Sequence, residues 1–582
     1  MINKLFKQLL ISQIVSAMAV TLCLLVDSIM IGRFLGVDSM AAYGLANPVL
    51  LIFAAFGSML SSGIQVVCSK AMGNGNNNLL NGFFTMAVTI AAVFSVIGVA
   101  LVLIFLNPLC VLLGAEEGTV VFELTKDYLK GFIIGAPAFI AAQILVPFLQ
   151  MSGERVRLVA AVLCMTIADV SFDLINVYLI KQGTFGMGLA STISYYIAVF
   201  IGVIYFFKDK CIYKLKKSLL KLSNLKEIAA GGVPTVINQI SLVLLVFTVN
   251  KVMMNVGQNV AVAAFSIVST VANLGYCIGG GISEVSLMLT GIYFSEEDEH
   301  SLKEIVKVQS FYAIVIDGFA MLLFLVFATP LVRLFIDSSP DAESDAIFGL
   351  RMFAISLIPS SLNAAFKKYY QAIGKIMFSE VFSALQNFAF PAIVVLILGN
   401  IVGKNGVWWY YIIGEILSLL FIVIYVHVKS GHPMFSLNSF VCLPESFGSK
   451  PGDAIEFSVF DATGVTSASL AAEEFCLLKG KSKKSSMYTA LCIEEMANNI
   501  IQHGFIEGKD NRIDIRLVKK ENRMLIRIRD NCKNFDPTKY LDMNRMDNED
   551  PSKHIGIRMT YKMSKKVQYV NSLGLNNLLL EI

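Results

Sequence analysis

Charge is what this 582-residue sequence has least of. Lys, Arg, Asp and Glu make up 15% of it, against about 25% in a soluble globular chain. That deficit excludes a purely soluble enzyme, and 55% hydrophobic residues exclude disorder. Paired cysteines are missing as well. The ten cysteines are scattered, with no CxxC and no Cys/His cluster at metal-ligand spacing, which argues against a structural zinc or a disulfide framework. Cys23, Cys68, Cys164 and Cys277 fall inside apolar runs, where a thiol acts as a small hydrophobe. A cleavage site is also lacking. Lys4 and Lys7 precede an apolar run as in a signal peptide, but the run continues to about residue 32 without a small-residue site, so it reads as a retained first span.

The charge that exists is unevenly placed, so the net value of +4 says little. Residues 1–430 hold 50 of the 90 charged residues, and the much shorter stretch 431–582 holds the other 40, more than doubling the charge density. The pattern is a polytopic membrane domain followed by a soluble one. A span needs about 20 mostly apolar residues, and twelve such segments can be placed: 10–34, 46–69, 82–106, 128–151, 158–180, 186–207, 232–255, 261–289, 308–328, 346–371, 377–399 and 407–428. An even number returns both ends to one side. With the N-terminus inside, the inner ends and loops carry 18 Lys/Arg, Lys367 and Lys368 among them, and the outer ones 8. The positive-inside rule therefore puts both termini in the cytoplasm.

The basic stretch 208–226 divides the spans into six plus six, and the halves repeat at an offset near 220. AAYGLANPV at 41–49 aligns with AAFSIVSTV at 263–271. Pro137 to FLQMSG at 148–153 aligns with Pro359 to YYQAIG at 369–374. Asp169-x-x-x-Asp173 falls opposite Asn387-x-x-x-Pro391. Six spans per half make the repeats parallel, with substrate expected between the lobes near the midplane, as in an alternating-access transporter.

A carboxylate at mid-membrane costs about 2.5–3.5 kcal/mol, so each invites a functional reading. Asp27 lies in the first span, and Asp169 and Asp173 lie in the fifth, one helical turn and about 6 Å apart. Two carboxylates that close resist being ionised together, so the pair can hold and release a proton. Alternatively, the carboxylates with the Ser191 or Thr192 hydroxyl could hold Na⁺. Asp317, Glu284, Glu415 and Glu380 also fall in or near second-half spans, where they could line a polar cavity or serve structure. Gly279-Gly280-Gly281 suits close helix packing, or a hinge.

The stretch VDSIMIGRFLG at 26–36, followed by AAYGLANP, resembles the first-span signature of the multidrug and toxic compound extrusion (MATE) family. The fifth span followed by GTFGMGLAS at 183–191 is similar to that family's Asn-x-x-x-Asp and Gly-rich pattern. The resemblance covers about 1–430. It implies an antiporter that expels small organic compounds from the cell in exchange for H⁺ or Na⁺ across the plasma membrane. It also implies that Asp27, Asp169, Asp173 and Ser191 form the N-lobe coupling site, with Asp169 replacing the family's Asn.

After His432-Pro433 the pattern changes. EFSVFD at 456–461, NRIDIRLV and MLIRIRD read as strands, and 467–480 and 488–505 as helices, making an α+β domain. Glu495 and Asn499 lie one helical turn apart, with His503-Gly504 after them and Asp530 ending a strand. This constellation, with the ending YVNSLGLNNLLLEI, resembles the histidine-kinase-type (GHKL) ATPase fold, closest to its anti-sigma-factor serine kinase branch. The resemblance implies Asn499 as the Mg²⁺ ligand, Glu495 as the catalytic base, Asp530 at the adenine amino group and Gly556 in the phosphate loop. The loops depart from that pattern: Cys532 and Asn534 stand where glycines are expected, and His554 replaces the first glycine of Gly-x-Gly.

The expected architecture is thus an all-α membrane domain of two six-helix lobes and a cytoplasmic GHKL-like domain. Its parts are an N-lobe (1–207), a basic linker (208–231), a C-lobe (232–430), a second linker (431–454) and the ATP-binding domain (455–582). The expected function is cation-coupled efflux with a nucleotide-sensing tail that binds ATP and Mg²⁺, turns ATP over weakly if at all, and can meet a regulatory protein. The expected setting is a lipid bilayer, without nucleic acid. A membrane sensor kinase and a lipid-linked saccharide flippase are the alternatives; the flippase would favour more cationic residues in the cavity.

Overall fold

A computed structural model describes residues 2–113, 115, 117–208, 211–333, 340–444, 447–449, 452–508, 510–520, 523–538 and 555–582. His554, singled out above, lies outside the described residues. Twelve helices are long and apolar enough to cross a membrane. Spans 1–6 are Ile2–Asp27, Ala42–Gly73, Asn77–Ile104, Val120–Met151, Arg155–Ile180 and Gly183–Phe207. Spans 7–12 are Leu222–Gly257, Val260–Ser295, Glu299–Arg333, Ala342–Ala372, Ile376–Val402 and Lys404–Ser430. Val96, Phe200, Phe247, Val326 and Ile401 are 67–76% exposed on their outer faces, as a surface meeting lipid requires.

Spans 7 and 8 form one helical path, Leu222–Ser295, that turns back on itself. Gly63 in span 2 abuts the carbonyl of Ile228, and Gly73 abuts that of Ile292. A straight 74-residue helix would run about 110 Å and could not bring both ends to span 2. The repeat is visible in matching contacts. Gln150 of span 4 accepts from Gln13 of span 1 (2.7 Å), while Gln371, its counterpart in span 10, donates to the Gly231 carbonyl of span 7 (2.5 Å).

Packing between the lobes is lopsided. On the side that carries the tail, one continuous apolar core joins Leu60, Ile64 and Val67 of the N-lobe to Val285, Met288 and Phe366 of the C-lobe. On the far side the C-lobe keeps a separate core around Val252, Phe265, Leu350 and Trp408. The lobes are therefore sealed together at the tail face.

Beyond Ser430 a short helix, Leu437–Val441, is pinned under span 10, where Tyr370 and Tyr369 hydroxyls donate to the carbonyls of Phe440 (2.7 Å) and Val441 (3.0 Å). The tail domain then folds as a five-stranded antiparallel sheet in the order β1-β2-β3-β5-β4. The strands are β1 (Ala454–Val459), β2 (Ile513–Lys520), β3 (Arg523–Asp530), β4 (Lys566–Ser572) and β5 (Leu575–Glu581). Helices Ala462–Leu478, Lys483–Asn499 and Ile555–Met563 supply the tail's core with Ile513, Ile515, Leu517, Met524, Ile526 and Ile528. Period-2 alternation puts Arg516, Arg527 and Arg529 on the opposite face.

Candidate functional site

Span 1 brings Asp27 to the face of span 5 that carries Asp169 and Asp173. The three residues are 6%, 3% and 0% exposed, and the Asp27 carboxyl is within hydrogen-bonding reach of both others. Ser194 donates to Asp169 Oδ1 (3.1 Å), and Ser191 contacts the same carboxyl. Asp27 Oδ1 and both oxygens of Asp173 have no hydrogen-bond partner. Among the described residues, no Lys, Arg or His forms an ion pair with the trio, and no set of three His, Cys, Asp or Glu is arranged as metal ligands. Just beyond Asp27 and Asp173 the two spans widen into single π-turns, Ile31–Leu35 and Asn176–Ile180, a distortion common at functional sites. The four residues expected to form the N-lobe site are thus together.

A second polar site lies between the lobes. A cavity of about 560 Å³ is walled on the N-lobe side by Ser58, Ser62, Gln65 and Gln143, and on the C-lobe side by Asn238, Glu284, Asp317, Lys367, Lys368 and Glu415. Its size suits a small organic molecule. Lys368 Nζ pairs with Glu284 (2.9 Å) and reaches across to Ser62 Oγ (3.1 Å). Lys367 donates to Asn238 Oδ1 (2.7 Å) and Gln386 Oε1 (3.2 Å). Glu415 accepts from Asn363 (2.8 Å) and Gln386 (3.1 Å). Asp317 is 1% exposed, and neither of its oxygens has a hydrogen-bond partner.

Sequence reading counted Lys367 and Lys368 with the inner loops and so underestimated the cations of the cavity. Both already fall inside the expected span 346–371, and span 10 runs to Ala372; it is the packing around them that turns them to the cavity. Hydropathy alone does not report this packing; the amide-rich surroundings, Asn363 and Gln371, were the available signal. Glu284, Asp317 and Glu415 line the cavity, and Glu380 is not among the lining residues. Gly279 and Gly281 do serve close packing, against Ser361 and Ile14.

In the tail, Glu495 and Gly556 meet: a Cβ on Gly556 would collide with Glu495 Oε2, so any other residue there would have to push the glutamate side chain aside. Asn499 is half-buried one turn further on. Asp530 is buried, and its Oδ1 accepts from the Cys532 amide (2.9 Å) and Asn576 Nδ2 (2.8 Å). Asn576 also accepts from the Tyr569 hydroxyl (2.7 Å). These residues suit a nucleotide in kind. Asn499 offers an oxygen ligand of the kind that Mg²⁺ takes, Glu495 a carboxylate able to serve as a base, and Asp530 is a buried acceptor for an amino group.

Residues 13–175 and 234–397 each match the MatE family model. The chain belongs to the MATE family. One match starts at residue 13 and the other at 234, in the register of the repeat. Residues 460–581 match the histidine kinase-like ATPase domain. Over 402 residues the chain is 24% identical to the multidrug export protein MepA of Staphylococcus saprophyticus, covering 68% of this chain and 87% of that one. MepA of Staphylococcus aureus strain RF122 is 24% identical over 390 residues, covering 67% and 85%. Among solved structures, an outward-facing multidrug-resistance MATE transporter superposes with a TM-score of 0.69 at 21% identity, over 72% of this chain and 94% of that one. A point mutant of the Vibrio cholerae MATE transporter VcmN gives 0.69 at 19% identity, over 75% and 98%. This MATE protein is therefore a multi-pass membrane protein with a histidine-kinase-like ATPase domain at its C-terminal end.

Proposed function

We propose that this MATE protein exports small organic compounds from the cytoplasm in exchange for protons. Both termini and the tail domain lie on the cytoplasmic side, and the tail responds to nucleotide. The carrying observation is the contact of Asp27 with Asp169 and Asp173 without a basic partner. Carboxyl groups so placed share protons or repel, so an arriving or departing proton changes how span 1 packs on span 5. Substrate occupies the cavity between the lobes. Its wall carries three acids, Glu284, Asp317 and Glu415, against two lysines, and Lys368 is already neutralised by Glu284. That balance favours a neutral or cationic compound over the lipid diphosphate that a flippase would carry.

In the tail, Asn499 would hold Mg²⁺, Glu495 beside it would act as the base, and Asp530 would take the adenine amino group. Bound ATP would supply a triphosphate anion and its metal to that site, and the chain's part is to bind and orient them. Everted vesicles loaded by separately imposed pH and Na⁺ gradients test the exporter reading. Efflux should follow the pH gradient and vanish in Asp27→Asn, and efflux that follows Na⁺ alone would overturn proton coupling.

A further inference from the structure

The face of the tail sheet that bears arginines is not bare. Arg516 on β2 stands directly opposite Arg527 on β3, and Arg529 is two residues along. Like charges opposed across strands destabilise a sheet, so this face needs an acidic partner. It has one in the turn between spans 8 and 9. Arg527 lies 2.6 Å from Glu296, as a close ion pair rather than a well-angled hydrogen bond. Arg529 bonds the same carboxylate and stacks over Tyr293, 4.8 Å from the ring centre. Asn577 donates to the other Glu296 oxygen (2.8 Å). Arg516 meets Asp298 (2.7 Å), and Lys520 meets Glu297 (2.7 Å). The Glu296 side chain is 1% exposed and Asp298 8%, so their pairs with the arginines are desolvated and mutually neutralised, whereas Lys520 and Glu297 stay half-exposed.

The same rigid domain also holds the N-lobe. The β4–β5 hairpin turns through Leu573 and Gly574, with φ of 58° and 77°. A leucine in the left-handed region is strained, yet Leu573 is 4% exposed and part of the core that joins the lobes. Its amide donates to the Met151 carbonyl (2.5 Å), and its own carbonyl accepts from Arg155 (3.0 Å). Asn77 donates to the Tyr569 carbonyl (3.0 Å). One domain therefore grips the C-lobe mainly through ion pairs and the N-lobe mainly through the hairpin, at the face where the lobes are sealed; on the N-lobe side Arg527 also donates to the Gly73 carbonyl (3.5 Å) and Lys4 pairs with Asp510 (3.0 Å).

We propose that the tail domain is a latch on the transporter's tail-side gate. Resting on the alternating-access reading above, the lobes must part at this face for substrate to enter, and they cannot part while both grips hold. The ion-paired grip on the C-lobe is the anchor. The hairpin, held by fewer and mostly backbone contacts, is the catch that lets go.

Spin labels on the full-length protein in liposomes test this, at Val156→Cys in the N-lobe and Met377→Cys in the C-lobe, 85% and 78% exposed on the tail side. Cys164→Ser removes the one exposed cysteine of the described residues. Without substrate or gradient, the label distance should be short in the parent. It should gain a longer population in Leu573→Asp and in Arg527→Glu/Arg529→Glu, and gradient-driven export should quicken several-fold. Adding Glu296→Arg to the arginine pair should return both readings toward the parent, which a merely misfolded tail would not do. An unchanged distance in both the hairpin and the arginine variants overturns the latch. Absence of gradient-driven export from every protein, with the distances still shifting, would count against the exporter reading alone.

Discussion

The two lobes are built on one repeat but carry different chemistry at matching places. In the N-lobe, span 5 sets Asp169 and Asp173 against Asp27, three carboxyls with no base among them. In the C-lobe, the corresponding residues of span 11 are Asn387 and Pro391, and Asn387 donates to Asn238 (2.7 Å), which also accepts from Lys367. Acids there are interleaved with lysines and amides around a cavity. A shared helical frame thus gives one half whose acids lie together without a base and another whose acids, Asp317 apart, are paired with lysines and amides around a cavity. Duplication supplied the scaffold twice, and side-chain substitution made the halves unequal.

That inequality can be broken most sharply at Asp27. Asp27→Asn should abolish gradient-driven efflux while leaving insertion in the membrane normal, as measured by dye efflux beside the yield of folded protein. The next largest effect separates the span 5 pair. Asp173→Asn should cut transport severely, whereas Asp169→Asn, which restores the residue typical of the family, should shift the pH profile of efflux without ending it. Equal losses from the two would mean that they act as one group. In the C-lobe, Asp317→Asn should be milder: substrate affinity should change several-fold and coupling should persist, as read from the KM and the maximal rate of efflux.

A smaller effect concerns the latch and acid. Burial by itself would raise Glu296 and Asp298, but Arg527 and Arg529 outweigh it at the first. At the second, Arg516 with the hydrogen bonds from Ser301 does the same, holding both carboxyls below their usual range. Carboxyls depressed in the docked state stabilise it above their ordinary values of about 4 and lose that contribution as pH falls through and below them. The label distance across the tail face should therefore hold steady from neutral pH down to about 5 and lengthen below about 4. Removing one partner of such a buried pair costs about 3–5 kcal/mol, so Glu296→Ala should loosen the dock at every pH. Smallest for transport is Asn499→Ala. It should remove the heat of ATP–Mg²⁺ binding in calorimetry of the full chain and change the basal efflux rate little.

Much of this was legible in the residues. Hydropathy placed all twelve spans, because a helix in lipid must satisfy its backbone internally and show apolar side chains along its whole length. The Gln-x-x-Gly spacing kept at 150–153 and 371–374 exposed the repeat, and each glutamine makes the equivalent contact in its own lobe. Lone in-span carboxylates named Asp27, Asp169 and Asp173, since burial of charge is too costly to be incidental. In the tail, the alternation of IDIRLV and LIRIRD made one face apolar and the other basic.

What the linear order could not hold is distance between remote segments. Lys367 and Lys368 are cavity residues only because helix packing sets Asn238, Gln386 and Glu284 around them, which the hydropathy of span 10 does not report. The Glu-Glu-Asp turn at 296–298 and the arginines of β2 and β3 are separated in the chain by four whole spans and part of the tail. Each looks in sequence like an ordinary solvated charge run. Only the tertiary structure decided that they neutralise each other. A buried ion pair needs both partners at contact distance in a dry site, and chain folding alone brings them there.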